Sequence, residues 1–244
     1  MSERIPEYLC LDIGNSRVKY AMVTKREVTD TGILTDQNHL QQLLVKSEGV
    51  YIASVGQTEY VAELIKVIQS SNCRYELLST STQVQAIAVA YNNPAKLGLD
   101  RWLAMLGARR FSSRPFAVLD IGTAITCDFV DVGGQHLGGW ICPGIQLMRQ
   151  SLAKNTARVT TNQQQWYVGD IGKDTEECVD SGCLVMAKGI IDRADLWMKN
   201  QFSDYDLFIC GGDCDLLLPE FVSGIRHIPD IIFYGMMQFI SEKA

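Results

Sequence analysis

Length, composition and charge place the chain among soluble globular proteins. Its 244 residues suffice for one large domain or two halves, and 47% of them are hydrophobic against 20% charged, which excludes a disordered chain. The formal net charge of −6 argues against a nucleic-acid surface, because such surfaces show a basic excess or a basic stripe.

Targeting and metal-binding signals are also weak. No apolar run approaches the ~20 residues of a membrane span, and the opening MSERIPEYLCLDIG is too polar for a signal peptide. We therefore expect a cytoplasmic protein that binds neither membrane nor nucleic acid. The eight cysteines form no C-x-x-C pair and the three histidines are widely spaced, so buried apolar cysteines are favoured over a zinc site.

The first half alternates predicted strands and helices. Apolar residues at 8–11 and 18–23 predict two strands joined by a glycine turn at 12–16. The patterns that follow predict a helix over 37–46, a buried strand over 50–55, and helices over 58–70 and 100–110. Such alternation is typical of an α/β fold.

The second half begins as the first does. Ser-Ser-Arg-Pro at 112–115 breaks the pattern, and a strand over 116–119 then leads into a second Asp-Ile-Gly turn at 120–122. Further predicted elements are a turn at Gly138-Gly139, a helix after Pro143-Gly144, a helix over 175–199, a strand over 206–210 and a helix after Pro229. We therefore predict two duplicated halves, 1–115 and 116–244.

The two Asp-x-Gly turns are the main chemical signal. One such turn is ordinary loop chemistry, but Asp12 and Asp120 each follow an apolar strand, about half a chain apart. Glycine allows close approach of a phosphate, successive amides bind anions, and an aspartate can orient a hydrated cation. The pair indicates nucleotide-phosphate binding. Lys19 either adds positive charge near a transferred phosphate or lies solvated on the outer face of its strand.

Each of the other candidate residues has both a functional and a structural interpretation. Asp100 is either an N-cap of the 100–110 helix or a base, and Arg101 either holds an anionic ligand or pairs with a surface acid. Tyr91 either lines a pocket or covers the core. Asp174 and Glu177 form a D-x-x-E capping box, which would leave the hydroxyl of Thr175 for a substrate. Gly211-Gly212 either admits an adenine ring or forms a tight turn.

Both turns resemble the phosphate motifs of the superfamily of acetate kinase, sugar kinases, heat-shock 70 proteins and actin. Its members consist of two duplicated ribonuclease H-like halves that face each other across a nucleotide cleft. Within the superfamily the chain resembles the type III pantothenate kinases, and GLDR followed by DIGTA is the most specific part. The segments that carry the resemblance are DIGNSRVK at 12–19, YNNP at 91–94, GLDR at 98–101, DIGTAITCD at 120–128, GGWICPG at 138–144, IGKDT at 171–175 and CGGD at 210–213.

The resemblance implies an activity and a set of roles. The family transfers the γ-phosphate of ATP to the primary hydroxyl of pantothenate, with magnesium bound to ATP, a monovalent cation such as potassium or ammonium, and a homodimeric assembly. The catalytic base then falls on Asp100 and the cation ligand on Asp120. The implied pantothenate contacts are Tyr91, Gly98, Leu99, Asp100, Arg101 and Thr175. The implied ATP contacts are Asp12, Ile13, Gly14, Asn15, Ser16, Arg17, Val18, Lys19 and Thr123.

Two departures and a further pattern complete the sequence evidence. Ser16 stands where threonine is common but keeps the hydroxyl, and the stretch 154–167 receives no role because its middle does not align. The predicted 175–199 helix carries more apolar residues than a one-sided helix needs, which predicts a dimer contact across a twofold axis or cover by a neighbouring helix. Those residues are Val179, Cys183, Leu184, Met186, Ala187, Ile190, Ile191, Ala194 and Trp197.

Two other functions remain open on the sequence alone. Another small-molecule kinase of the superfamily would generally be longer and would lack GLDR between its phosphate turns. A regulatory accessory protein of the same fold, which works by binding, would be expected to have lost Asp100 or Asp120. Both aspartates are present, so the sequence favours the kinase.

Overall fold

The chain divides into two compact units in the computed structural model. The first unit contains Met1–Phe111 and Asp230–Ala244, and the second contains Ser112–Pro229. The structure describes residues 7–14, 17–24, 27–54, 59–80, 86–156, 166–169, 171–217 and 224–242.

A five-stranded mixed sheet forms the centre of the first unit. Its strands are β1 (Tyr8–Ile13), β2 (Val18–Val23), β3 (Val28–Ile33), β4 (Val50–Ser54) and β5 (Tyr75–Leu77), in the order β3-β2-β1-β4-β5. The first three are antiparallel, whereas β4 pairs parallel with β1 and β5 pairs parallel with β4.

Helices α1 (Gln37–Lys46) and α2 (Glu59–Ser70) share an apolar core with this sheet. Alternate residues of β1, Leu9 and Leu11, point into the same core as Leu40 of α1 and Ile68 of α2, and all four are completely buried. The period of two along the strand and the helical spacing on α1 and α2 therefore place these apolar side chains together.

Two further helices, α3 (Leu99–Phe111) and α6 (Ile231–Glu242), complete the first unit. They pack very closely, because a side chain at Gly107 would collide with the carbonyl oxygen of Ile231 and one at Gly235 with that of Leu103. The ring of Trp102 packs edge-on against Phe239 at 5.7 Å. Backbone-to-backbone contact at the two glycines thus holds the C-terminal helix against α3.

The second unit has a sheet of the same topology. Its order is β8-β7-β6-β9-β10, with β6 antiparallel to β7, β7 antiparallel to β8, and β9 parallel to both β6 and β10. The strands are β6 (Phe116–Ile121), β7 (Ala124–Val130), β8 (His136–Pro143), β9 (Asp206–Cys210) and β10 (Ile225–His227). Both the strand order and the strand directions therefore repeat, which confirms the α/β class with two duplicated ribonuclease H-like halves.

Helices α4 (Ile145–Asn155) and α5 (Thr175–Gln201) pack on this second sheet. Most of the apolar residues predicted to make α5 two-sided, including Leu184 and Ile191, lie in the core of their own unit, so a neighbouring element of the same chain covers them. Met186 and its neighbour Val185 are the exception, at 64% and 57% exposure. Among the helices that the structure describes, none is long and apolar enough to cross a membrane.

Most predicted elements match the structure, and two differences have separate physical causes. The strand β3 was not predicted because it is an edge strand of sequence VTDTGI that buries little of either face. The predicted turn at Gly138-Gly139 is wrong, because both residues lie inside β8. Gly138 adopts φ of +115°, and the β7–β8 register shifts between its partner Phe129 and Val130, so this glycine marks a β-bulge.

The division of the chain differs from the predicted halves 1–115 and 116–244. The first unit ends at Phe111, and the C-terminal segment from Asp230 belongs to it. The reason is the glycine-mediated contact between α3 and α6, which no local pattern in the sequence reveals.

We predict that Gly107→Ala destabilises the protein, because the added methyl group meets the Ile231 carbonyl oxygen and the backbone must shift. Overpacking of this kind costs about 3 kcal/mol and the gain in helix propensity returns about 1 kcal/mol, so the melting temperature should fall by roughly 4–8 °C. Gly49→Ala is the control, since its methyl group would lie at an ordinary 3.6 Å from the Arg74 carbonyl oxygen. Equal melting temperatures for the two variants, measured by circular dichroism, would contradict the close α3–α6 contact.

Candidate functional site

The first phosphate turn connects β1 to β2. The Gly14 N–H donates to the carbonyl oxygen of Arg17 at 3.2 Å, which closes the hairpin. The side chains of Ile13 and Val18 are each 4% exposed and belong to the core, so only their backbone can face a nucleotide. Of the implied ATP contacts, Asn15 and Ser16 lie outside the described residues.

Asp12 and Lys19 face each other across this hairpin as directly paired residues of β1 and β2. Burial raises the pKa of the Asp12 carboxyl to about 6; the Lys19 ammonium opposes this rise in pKa, and the Asp100 carboxylate adds to it. The first turn and the start of α3 are therefore electrostatically coupled. Lys19 is half-buried beside a carboxylate, which corrects the interpretation of a solvated lysine on an outer face.

Asp100 is the second residue of α3 rather than its N-cap. The Trp102 N–H donates to the Gly98 carbonyl oxygen, so Gly98 stands at the cap position, and the Asp100 carboxylate accepts the N–H of Arg101 at 2.8 Å. A side chain at Gly98 would collide with this carboxylate. The glycine of GLDR thus makes room for the aspartate, and Leu99 is buried beneath them.

Arg101 points inward and contacts Tyr91. Its guanidinium donates to the Tyr91 hydroxyl at 3.0 Å and lies 5.9 Å from the centre of that ring. Arg101 is only 5% exposed, so its guanidinium lies in the interior rather than at the surface. Tyr91 precedes a short 3₁₀ turn, Pro94–Lys96, which Asn93 caps by accepting the Ala95 N–H. The implied pantothenate contacts Tyr91, Gly98, Leu99, Asp100 and Arg101 therefore form one local group.

Asp230 joins the charges of the first unit, and sequence reasoning missed it. It precedes α6, and its carbonyl oxygen accepts the N–H of Phe233 at 2.9 Å. Burial raises the pKa of its carboxyl, while Lys19 opposes that rise. The Pro229-Asp230 pair signals a helix start, but only the fold brings this carboxyl within the field of Lys19.

The second phosphate turn connects β6 to β7 and is fixed on two sides. The Gly122 N–H donates to the Ala124 carbonyl oxygen, and the Asp213 N–H donates to that of Ile121 at 3.0 Å. The Thr123 carbonyl oxygen accepts the Gly144 N–H at 3.0 Å. Thr123 is exposed, and this bond holds its backbone in place.

Asp120 is the penultimate residue of β6, and its carboxylate lies against the backbone of Gly211. A side chain at Gly211 would collide with an Asp120 oxygen and with the Ile121 carbonyl, and its φ of +106° also favours glycine. A carboxylate and neighbouring backbone carbonyls are the oxygen ligands that hard cations prefer. The residues that could hold a cation here are therefore the Asp120 carboxylate and the neighbouring backbone carbonyls. The tight Gly211 turn is required by this packing.

Thr175 is the exposed first residue of α5, in the second unit. Asp174 caps the helix by accepting the Glu177 N–H at 2.9 Å, as the D-x-x-E motif predicts, whereas Glu177 accepts the N–H of Lys173, the residue before the cap, at 2.7 Å. The residue lies at one end of a groove of about 1150 Å³ between α4 and α5. The rest of that groove is mainly apolar, with Leu147, Met148, Leu152, Val179, Cys183 and Met186 among its walls.

We predict that Asp12→Asn stabilises the protein near neutral pH. An acid whose pKa is higher in the folded than in the unfolded chain stabilises below its unfolded pKa of about 4, and this contribution disappears as the pH rises through the folded pKa. With a folded pKa of about 6, ionisation of Asp12 costs on the order of 2 kcal/mol at pH 7.5.

The melting temperature of Asp12→Asn should therefore exceed that of the unmodified protein by roughly 4–8 °C at pH 7.5 and by little at pH 4. Asp192→Asn, at an exposed position of α5, serves as the control and should show no difference at either pH. A lower melting temperature for Asp12→Asn at pH 7.5 would contradict the unfavourable burial of this carboxylate.

Solved structures share the fold over nearly the whole chain. A protein from Campylobacter jejuni described as a Baf family transcriptional activator aligns with a TM-score of 0.61 at 23% identity, covering 96% of this chain and 98% of that one. The activator of 2-hydroxyisocaproyl-CoA dehydratase from Clostridium difficile, with bound ADPNP, aligns with a TM-score of 0.52 at 11% identity. At these identities the likeness shows the fold alone.

Sequence relatives are closer and agree with one another. A type III pantothenate kinase from Pseudoalteromonas atlantica is 36% identical over 238 residues, covering 95% of this chain and 96% of the relative. One from Pseudomonas syringae pv. syringae is 34% identical over 239 residues, covering 93% and 96%. The type III pantothenate kinase family model matches residues 8–195. The chain therefore belongs to the type III pantothenate kinase family.

Proposed function

We propose that the protein phosphorylates pantothenate with ATP, the first step of coenzyme A biosynthesis. One observation carries the proposal beyond family membership. The GLDR segment places the Asp100 carboxylate close enough to Asp12 of the first phosphate turn for the two charges to interact, within one unit. The proposed acceptor-binding segment would then lie beside the proposed phosphate turn, as phosphoryl transfer requires. ATP supply makes the cytoplasm the proposed compartment.

Asp100 is the proposed catalytic base. The primary hydroxyl oxygen of pantothenate attacks the γ-phosphorus, the bond from that phosphorus to the β-phosphate oxygen breaks, ADP leaves, and Asp100 accepts the hydroxyl proton. A loose transition state demands mainly positioning and charge neutralisation, so an aspartate can serve as the base. Arg101, held by Tyr91 at 3.0 Å, is proposed to orient the acceptor together with the Gly98–Leu99 backbone. Thr175 is a further proposed substrate contact.

The phosphate turns are proposed to hold ATP. The first turn would face the nucleotide with side chains and with backbone. The side chains are those of Asp12 and Lys19, and the backbone is that of Ile13, Gly14, Arg17 and Val18. Asn15 and Ser16 are further proposed contacts. Thr123 would contribute from the second turn. Magnesium on ATP and a monovalent cation at Asp120 supply charge neutralisation for the phosphates when bound.

Asp100→Asn should lower kcat by roughly 10² to 10⁴, the range for loss of a general base. The fold should be retained, because asparagine keeps an oxygen that can accept the Arg101 N–H. Asp36→Asn is the matched control: Asp36 caps α1, asparagine caps equally well, and turnover should not change. A coupled ADP-release assay with pantothenate, run beside glucose and acetate as alternative acceptors, makes the measurement. Full turnover by folded Asp100→Asn would remove the base from this proposal.

The proposed cation site at Asp120 predicts a response to salt. Turnover should be low in sodium or lithium chloride and should rise with potassium or ammonium, because the oxygen ligands at Asp120 select by ion size. Asp120→Ala should remove most activity and the response together. Asp204→Ala is the control, since its exposed ion pair with Arg114 contributes little. Equal activity in all four salts would exclude the cation.

A homodimer is the proposed assembly, with the substrate site near its interface. The exposed side chains of Val185 and Met186 on α5 and of Leu147 and Leu152 on α4 form an apolar surface that a second copy can cover. Because Thr175 lies at the end of the same groove, residues of both subunits would then line the site. Light scattering should give twice the 27.2 kDa of the chain, and a fully active monomer at low micromolar concentration would contradict the shared site.

A further inference from the structure

A buried ion pair joins α4 to α5 in the second unit. Arg149 and Asp180 are 2% and 3% exposed, with Nε 2.9 Å from Oδ1 and Nη2 3.3 Å from Oδ2. Their nearest neighbours along the helices, Met148 and Val179, belong to the apolar core. The pair therefore stands where apolar residues would be expected.

Stability does not explain a pair in this environment. Removing two charges from water costs several kcal/mol, and replacing a buried pair by apolar residues of similar volume is often neutral or stabilising. Loss of one partner, by contrast, leaves an uncompensated buried charge. The pair therefore calls for a role in geometry rather than in the free energy of folding.

The same two side chains bind a stretch of chain that has no regular secondary structure. The Tyr167 N–H donates to Oδ2 of Asp180 at 3.0 Å, and the guanidinium of Arg149 lies 4.2 Å from the ring centre of Trp166. The next residue of α5, Ser181, donates its hydroxyl to the Gly169 carbonyl oxygen at 3.0 Å. Trp166–Gly169 is thus held on α4 and α5 by buried polar contacts.

This stretch continues towards the start of α5. We call residues 166–169 together with 171–174 the strap. Its two parts are tied by the Tyr167 hydroxyl, which donates to the Ile171 carbonyl oxygen at 3.2 Å. Gly172 packs against the first turn of α5, where a side chain would collide with the backbone of Glu177 and Cys178. The strap then ends at the capping box, directly before Thr175.

We propose that Arg149 and Asp180 are positioning residues for pantothenate: they fix the strap and the first turn of α5, and so set the place of Thr175 at the end of the α4–α5 groove. The proposal rests on the proposed substrate role of Thr175. Gly172, Lys173 and Asp174 of the strap also line this groove. A shift of the strap therefore alters the groove and Thr175 together.

The deciding variant replaces both charges, Arg149→Met with Asp180→Leu, because this change removes the pair without leaving a buried charge. The melting temperature should stay within a few degrees of the unmodified protein. The KM for pantothenate should rise about tenfold, while the KM for ATP and kcat stay within about twofold, the signature of lost ground-state binding. Hydrogen exchange at the Tyr167 amide should accelerate, since its acceptor is gone. Lys199→Met, which removes the exposed pair with Asp195 on the same helix, is the control and should change none of these.

Trp166→Leu tests the same device with the ion pair intact, because it removes only the ring against Arg149. It should raise the KM for pantothenate by a smaller factor than the double variant does. If the double variant does not fold, this single variant tests the proposal instead. Three results in a folded variant would each overturn the proposal. They are an unchanged KM for pantothenate, equal rises in the KM values for pantothenate and ATP, and unchanged hydrogen exchange at the Tyr167 amide. Absence of turnover in the unmodified protein would instead reject the proposed function, and an unaltered KM in Thr175→Ala would reject the role of Thr175.

Discussion

The close contact between α3 and α6 is the constraint on which the first unit depends. At Gly107 and Gly235 each helix meets a backbone carbonyl of the other, and no side chain fits between them. Helix α3 carries Asp100 near its start, so the contact that holds α3 also sets the place of the proposed base. Because Asp230 directly precedes α6, the same packing brings a second carboxyl into the field of Lys19. The close packing of α3 and α6 thus also determines where Asp100 and Asp230 lie.

The charges of the first unit show how a polar site can be built at a cost in stability. Burial raises the pKa of the Asp12 carboxyl, and the Asp100 carboxylate raises it further. Lys19 offsets part of this cost and is shared between Asp12 and Asp230. Strained electrostatics of this kind cluster at functional sites because a ligand can relieve them. Cations that accompany bound nucleotide would supply the missing positive charge.

Local sequence patterns predicted most of the fold but only part of the candidate site. Strands β1 and β6 and helices α2 and α5 follow from periodicity, and the capping box at Asp174 from a short motif, since neighbours in sequence decide these features. Sequence could not reveal the position of Asp230 or the pairing of Arg149 with Asp180, because such contacts arise only from tertiary packing. The sequence also predicted a turn at Gly138, where the structure has a β-bulge inside a strand. Turns and bulges both favour glycine, so the residue type alone does not distinguish them. The role of each implied substrate contact stays a prediction.

The assignment of α6 to the first unit has a consequence for how the protein forms during synthesis. The second unit is one continuous stretch, Ser112–Pro229, whereas the first unit needs residues from both ends of the chain. On a ribosome, the second unit can fold as soon as it has emerged, because domains generally fold as units. The first unit must wait with an uncovered α3 until the helix after Asp230 is made. The unit that carries the proposed base is therefore begun before the second unit and completed after it.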